Sequence, residues 1–373
     1  MSETELPEPD RIEGAPHPRE TYALFGHQAA EEAFLAAASA EKLHHAWMIT
    51  GPKGIGKATL AWRMARYLLA LPADTGPNLF GAPDPLPETL ESDPDTALNH
   101  RIEALSEPRL MLIRRGPTDD GKRLKAQISV DEVRKLNAFF GLSATDGGYR
   151  VVIVDCLDEM NTASANALLK LLEEPPKSAV LLLVCHQPSR VLPTIRSRCR
   201  ELRLSPLGTQ ALSDALETVG ADTSTAPALS ELSSGSVGRT LSLLSVDGPK
   251  IYGDIIQTLG TCPRLDRSMA TKLAEAAAVR GAEARLDATV EMLDLALSRL
   301  AKTGANAPPK AEIVEGERQI MTRLAPGPAD ARAWASLQQS ARARIEHGRA
   351  VNVAPQGLIL DVFLKANEIA ASP

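Results

Sequence analysis

Aromatic residues are scarce in this chain. Phe, Trp and Tyr make up 3% of its 373 residues, so base-stacking platforms are not expected to dominate any contact with nucleic acid. Cysteine is rare too. Cys156, Cys185, Cys199 and Cys262 are widely spaced and form no Cys-x-x-Cys pair. Three of them fall in or beside expected strands and read as reduced, buried thiols, as suits a cytoplasmic protein. No apolar run approaches the about 20 residues of a membrane span. The acidic, Pro-rich N-terminus has neither the basic start nor the apolar core of a signal peptide. Positive charge is not in excess: a net charge of −6 argues against a surface that attracts DNA everywhere, while leaving room for a local basic face. What is present, 44% hydrophobic and 24% charged residues, is a globular composition, with length for two or three domains.

One further absence is a single hydroxyl. Residues 51–59 read Gly-Pro-Lys-Gly-Ile-Gly-Lys-Ala-Thr, the phosphate-binding pattern G-x-x-x-x-G-K-[S/T] broken at its last position. Gly51 and Gly56 let backbone N–H groups curl around phosphate oxygens, Lys57 reaches the outer phosphates, and the next residue should ligate Mg²⁺ through a hydroxyl. Ala58 has none. Thr59 does, but one step along a helix turns its side chain away by about 100°. Ala46–Thr50 reads as a short buried strand entering the loop. Residues 57–69 read as a helix leaving it, with Leu60, Met64, Tyr67 and Leu68 on one side. That context makes Gly51, Pro52, Lys53, Gly54, Ile55, Gly56, Lys57, Ala58 and Thr59 the candidate nucleotide site. Whether it still holds nucleotide stays open here, since anion binding at a helix N-terminus needs no Mg²⁺ ligand.

The surrounding pattern is α/β. Residues 1–20, rich in Pro, Glu and Asp without periodicity, are expected to form a disordered lead, and residues 71–108 an irregular, Pro-rich surface loop. Strands are expected at 109–114, 151–154, 179–185 and 201–204. Helices follow Ser129-Val-Asp-Glu132, a capping box, and span about 162–174, where Ala165, Leu168, Leu169 and Leu172 share one face. Strands that are apolar throughout and alternate with helices indicate a parallel sheet covered on both faces. Beyond about 205 the strand signal ends and the chain reads as helical.

Val151–Val154 ends in Asp155, where an ATPase of this type orders Mg²⁺ through water. The next residue is usually a Glu that activates the attacking water, and here it is Cys156, a poor base. Asp158 and Glu159 are close but in another register. A basic element follows: Arg190, Arg196, Arg198, Arg200 and Arg203, with Glu201 the only acid among them. An Arg at a domain edge can stabilise a phosphoryl group held by a neighbouring subunit.

Asn166-Ala-Leu-Leu-Lys-Leu-Leu-Glu-Glu-Pro-Pro176, followed by Ser197-Arg-Cys199, resembles the AAA+ clamp-loader subunits of bacterial DNA polymerase III. The loop, the acidic strand end and the Ser-Arg-Cys motif occur in that family's order. Asn352-Val-Ala-Pro-Gln356 to Leu364 is similar to its closing helix. A damaged ATP site beside an intact Ser-Arg-Cys motif resembles the delta-prime branch, the stator. The resemblance implies an AAA+ P-loop domain over 21–206, a small helical lid over 207–247 and a helical collar for oligomerisation over 248–373. It implies Arg198 as an arginine finger acting in trans, and Asp155 with the loop as a vestigial site for ATP or ADP. The sensor-1 position falls near His186. The sensor-2 region is Gly235-Ser-Val-Gly238, with Gly238 in place of the motor's Arg and Arg239 one residue late. The family often carries a four-cysteine zinc module where residues 71–108 have no Cys, so no zinc is expected.

The function so implied is a non-catalytic subunit that helps load the sliding clamp onto primed DNA in replication. It would sit in a hetero-pentamer with motor and clamp-opening subunits. Alone it would have little or no ATPase activity, although the whole is a DNA-directed DNA polymerase, a nucleotidyltransferase. DNA would be met through its backbone, with Lys53, Lys122, Arg123, Lys125 and the Arg190–Arg203 cluster as candidates. The alternative is an active AAA+ ATPase motor in which Thr59 or a shifted acid stands in. A P-loop small-molecule kinase is a third reading, without an evident acceptor motif.

Overall fold

The computed structural model describes residues 8–12, 15–40, 42–72, 86–118, 123–141, 147–221, 223, 226–279, 281–309 and 311–372. The chain divides into two compact units, Met1–Ala221 with Ser236–Gly238, and Asp222–Gly235 with Arg239–Pro373.

In the first unit α1 (Gln28–Ser39), β1 (Ala46–Thr50), α2 (Lys57–Ala70), α3 (Ala97–Glu103), β2 (Leu110–Arg114) and α4 (Val130–Gly141) come first. They are followed by β3 (Arg150–Asp155), α5 (Thr162–Glu173), β4 (Ala179–Cys185), α6 (Pro193–Arg196), β5 (Arg200–Arg203) and α7 (Thr209–Thr218). The strands form one parallel sheet in the order β2-β3-β4-β1-β5. Strands β1, β3 and β4 are buried along their whole length. A strand covered on both faces has no solvent side to mark with polar residues, which is why Ala179–Cys185 carries none. The register sets Thr50 beside Cys185 and Arg203, and Asp155 beside Arg114 and Val184. The carboxyl ends of the strands are therefore level, and β1 delivers the Gly-rich turn at the edge where open α/β sheets bind ligands. The parallel α/β architecture is the one expected.

The few aromatics are concentrated behind that turn. Phe34 of α1 meets Trp47 of β1 edge-on at 5.3 Å and Tyr67 of α2 at 5.9 Å. Helix α2 is buried nearly all round rather than on one side, and includes Arg63 and Arg66. Arg63 pairs with Glu31 at 2.7 Å, and Arg66 lies 4.2 Å over the Tyr22 ring. Helix α5 begins at Asn161, whose side chain accepts the Ser164 N–H at 2.9 Å, and Ser164 Oγ donates to the Ile128 carbonyl at 2.8 Å.

Two expectations need correction. Residues 8–12 and 15–20 are not a disordered lead; residues 1–7, 13 and 14 lie outside the described residues. Asp10 pairs with Arg114 at 2.6 Å and lies 3.0 Å from His17 Nε2. Glu8 pairs with Arg19 at 2.7 Å and Arg114 at 2.9 Å. These acids are ordered by a cation at the end of β2, about a hundred residues away, which local composition does not reveal. Second, the segment expected to be irregular over 71–108 contains α3, capped by Thr96 accepting the Asn99 N–H at 3.2 Å; residues 73–85 lie outside the described residues. Strand β5 also begins at Arg200, one residue early.

The second unit is helical: α8 (Ala226–Ser233), α9 (Val237–Leu244, whose first two residues fall in the first unit), α10 (Gly248–Gly260), α11 (Arg267–Ala277), α12 (Glu283–Gly304), α13 (Glu317–Leu324), α14 (Pro328–Ala350) and α15 (Pro355–Ala371). Helix α7, expected in a separate lid with α8 and α9, falls in the first unit, while α8 falls in the second. Helix α12 packs on α10 and α14, and α15 on α14 and α11. Among the described residues no helix is long and apolar enough to cross a membrane.

A buried charge pair ties this unit together. Arg299 Nε is 2.9 Å from Glu317, and both residues are buried. Tyr252 donates its hydroxyl to Glu317, and the Ile313 N–H donates to Glu317 at 2.7 Å. Glu317→Leu leaves the buried Arg299 guanidinium with only the half-buried Glu231, 3.1 Å away, as a carboxylate partner. It is expected to lower the urea-unfolding free energy by about 3–5 kcal/mol, with much of the loss recovered in the double variant Arg299→Met/Glu317→Leu.

Candidate nucleotide site

The loop has the shape its glycines suggest. Gly51, Gly54 and Gly56 have φ of +144°, +77° and +101°. A Cβ on Gly51 would lie 2.6 Å from the Leu204 carbonyl oxygen, and one on Gly56 would lie 2.8 Å from Leu24. Both pattern glycines are thus required by conformation and by space. His27 Nε2 is 2.6 Å from the Ile55 carbonyl, which pins the turn from below. Burial keeps that histidine neutral by pushing its pKa down. The first ladder bond of α2 is Leu60 N–H to the Gly56 carbonyl at 2.9 Å. The N–H groups of Lys57, Ala58 and Thr59 precede it and face the cradle of the loop. These residues fit a phosphate group.

Lys57 is buried, and burial pushes its pKa down to about 8, against the pull of Cys156, Asp155, Asp158 and Cys185. Its ammonium donates to the Pro52 carbonyl of its own loop. Asp155 is buried as well. Burial, with Asp10 and Glu159 nearby, pushes its carboxyl up to about 7, against Lys57 and Arg114. It is therefore only about half ionised near pH 7, where an Mg²⁺-ordering carboxylate should be fully charged.

The two acids that could stand in for a catalytic base are engaged elsewhere. The Cys156 thiol donates to Asp158 Oδ1 at 2.8 Å, and the His186 N–H donates to the same oxygen at 2.7 Å. Burial alone would raise Asp158, but these bonds hold it below the usual carboxylate range and make it a weaker base. Glu159 is paired with Arg115 at 2.7 Å. The His186 ring, near the sensor-1 position, is pushed down to about 4 by burial and by Lys57, and is neutral. Burial raises the Cys156 thiol far above its ordinary range and takes Cys185 to about 12, so both are inert at neutral pH.

The Gly235–Gly238 stretch meets the loop backbone directly. Ser236 Oγ donates to the Lys53 carbonyl at 2.9 Å and the Gly238 N–H to the Gly54 carbonyl at 2.9 Å. A Cβ on Gly238 would lie 2.5 Å from Ile12 and 3.1 Å from the Gly54 Cα. Any side chain at 238 would require Ile12 and the loop backbone to shift, and Arg239 is paired with Glu291 at 2.7 Å. Sequence reasoning found Gly238 but missed Ile12 and Asp10, because nothing local marks them.

Arg198 lies away from this group, between α6 and β5. Its Nη2 is 3.0 Å from Glu173 at the end of α5, and its Nη1 donates to the Thr194 carbonyl at 3.0 Å. The structure thus gathers residues 51–59 with Asp155 and sets Arg198 apart.

The Asp155 shift has a definite sign. A carboxyl raised from its ordinary value of about 4 binds more protons folded than unfolded, so stability falls as pH rises from about 4 to about 7. Asp155→Asn, neutral throughout, is expected to raise the Tm more at pH 8 than at pH 4 in thermal unfolding. Equal shifts at both values would mean that Asp155 does not carry the effect.

A family model described as DNA polymerase III, delta subunit matches residues 26–208. The DNA polymerase III subunit delta' of Pseudomonas aeruginosa is 37% identical over 156 residues, 42% of this chain and 41% of that protein. Subunit delta' of Bacillus subtilis is 31% identical over 176 residues, 47% and 46%. Subunit gamma/tau of Mycobacterium bovis is 31% identical over 214 residues, 56% and 33%. The matched stretches thus span less than half the length of these curated relatives. That stretch, which holds the Gly-rich loop, the strand ending in Asp155 and the Ser197-Arg-Cys199 motif, is similar to the delta-prime subunits of DNA polymerase III.

Proposed function

We propose that this chain is the non-catalytic, stator-type subunit of a clamp loader, helping to place the sliding clamp on primed DNA and supplying Arg198 to the ATP of an adjacent motor subunit. The observation that carries this reading is the engagement of the two acids that could stand in as base at the loop. Ala58 offers no hydroxyl, Cys156 replaces the base, Asp158 is bound by Cys156 and His186, and Glu159 is bound by Arg115. The cradle of residues 51–57 would still hold the phosphates of ATP or ADP, with Lys57 leaving the Pro52 carbonyl to meet them.

On this reading residues 248–373, helices α10 to α15, act as a collar that joins the subunits of a hetero-pentamer. A lid made from the helices over 207–247 is the finer division. DNA is met through phosphate contacts, for which Arg190, Arg196, Arg200 and Arg203 are exposed; Lys122 lies outside the described residues. A cytoplasmic place follows from a role in replication.

The likeness to gamma/tau favours one other reading, an active motor. The two separate cleanly. The isolated chain is expected to release no phosphate from ATP above background; turnover that disappears in Lys57→Ala would establish the motor instead. In complexes rebuilt with motor subunits, Arg198→Ala is expected to slow hydrolysis at the site it serves by about 10³-fold or more and to impair clamp loading. Unchanged clamp- and DNA-stimulated rates would remove the arginine-finger role.

A further inference from the structure

An arginine that acts on another subunit's phosphoryl group gains from being held in place beforehand, because its long side chain otherwise loses rotamer freedom on contact. Arg198 is held on two sides. Nη2 lies 3.0 Å from Glu173 Oε1, and Nη1 donates to the Thr194 carbonyl at 3.0 Å. Glu173 is the last residue of α5 and Thr194 lies within α6, and these two helices pack against each other. Both acceptors therefore sit on rigid elements, the condition for holding a functional side chain in register. Among the described residues Glu173 makes no other ion pair.

We propose that Glu173 is the positioning residue for Arg198, orienting its guanidinium for a phosphoryl group on the adjacent subunit. A guanidinium has five N–H donors. Glu173 and Thr194 take one each, so 5 − 2 leaves three, namely Nε–H and one on each Nη, for the incoming oxygens. The pair is open to water, with side chains 38% and 45% exposed. Surface pairs of this kind add little to stability, so removing Glu173 disturbs the aim of Arg198 and not the fold. The inference rests on the arginine-finger reading above.

The test uses the full complex, rebuilt from this chain and motor subunits and stimulated by clamp and primed DNA. It compares Glu173→Ala, Glu173→Gln, Arg198→Ala and the Glu173→Ala/Arg198→Ala pair. Glu173→Ala is expected to lower kcat for ATP about two- to fivefold, the span of a surface ion pair, with KM unchanged. Glu173→Gln, which keeps an acceptor oxygen, recovers part of that loss. On the Arg198→Ala background, Glu173→Ala changes nothing further. An unchanged or higher kcat for Glu173→Ala beside a strong Arg198→Ala effect overturns the positioning role alone. An equal Glu173→Ala loss on both backgrounds overturns it as well. A silent Arg198→Ala overturns the finger reading and this inference with it.

Discussion

A lysine ammonium buried at the carboxyl edge of a parallel sheet must find oxygen partners there, and the site is organised around that requirement. In this chain Lys57 turns onto the Pro52 carbonyl of its own loop, with Asp155 and Asp158 in its field. The edge cannot be left open to water without losing the packing that buries α2, nor can it hold unpaired charge. The carboxyl groups placed there are accordingly partnered or shifted in pKa. Asp158 takes the Cys156 thiol and the His186 N–H, Glu159 takes Arg115, and burial lifts the Asp155 carboxyl to about 7.

The same constraint reaches into segments remote in sequence. The acids of the N-terminal segment, Glu8 and Asp10, close on Arg114, the residue beside Asp155 in the sheet. Ile12 fills the space that a side chain at 238 would need, and the Gly238 N–H bonds directly to the loop. Ala58, Cys156 and Gly238 then surround one phosphate-shaped loop, and the acids near it are engaged in contacts within the protein. Arg198 stands outside that arrangement, on the side of α5 and α6.

Much of this could be read from the chain alone. Apolar runs without polar alternation identified β1, β3 and β4, and the Gly-rich pattern between an apolar strand and a helix located the loop. The reading failed where partners are distant. Residues 8–20 looked disordered because Glu8 and Asp10 have no local reason to order, and α3 was hidden in a Pro-rich stretch whose cap, Thr96, is a single residue. Helix α2 was expected to bury the side of Leu60, Met64, Tyr67 and Leu68, but Arg63 and Arg66 are buried too, where Glu31 and Tyr22 meet them.

The sequence by itself determined which chemical groups exist at the site: the glycines, the lysine, an alanine for a hydroxyl, a cysteine for a carboxylate. Those are covalent facts, and no folding can supply a missing oxygen. Only the tertiary structure decided what the remaining groups do. Whether Asp158 is a base or an acceptor, whether Glu173 is a solvated acid or a brace for Arg198, and whether Gly238 is a gap or a close contact depend on atoms that meet across tens to hundreds of residues. Hydrogen bonds and burial act over a few ångströms of space, and the chain order does not carry that distance.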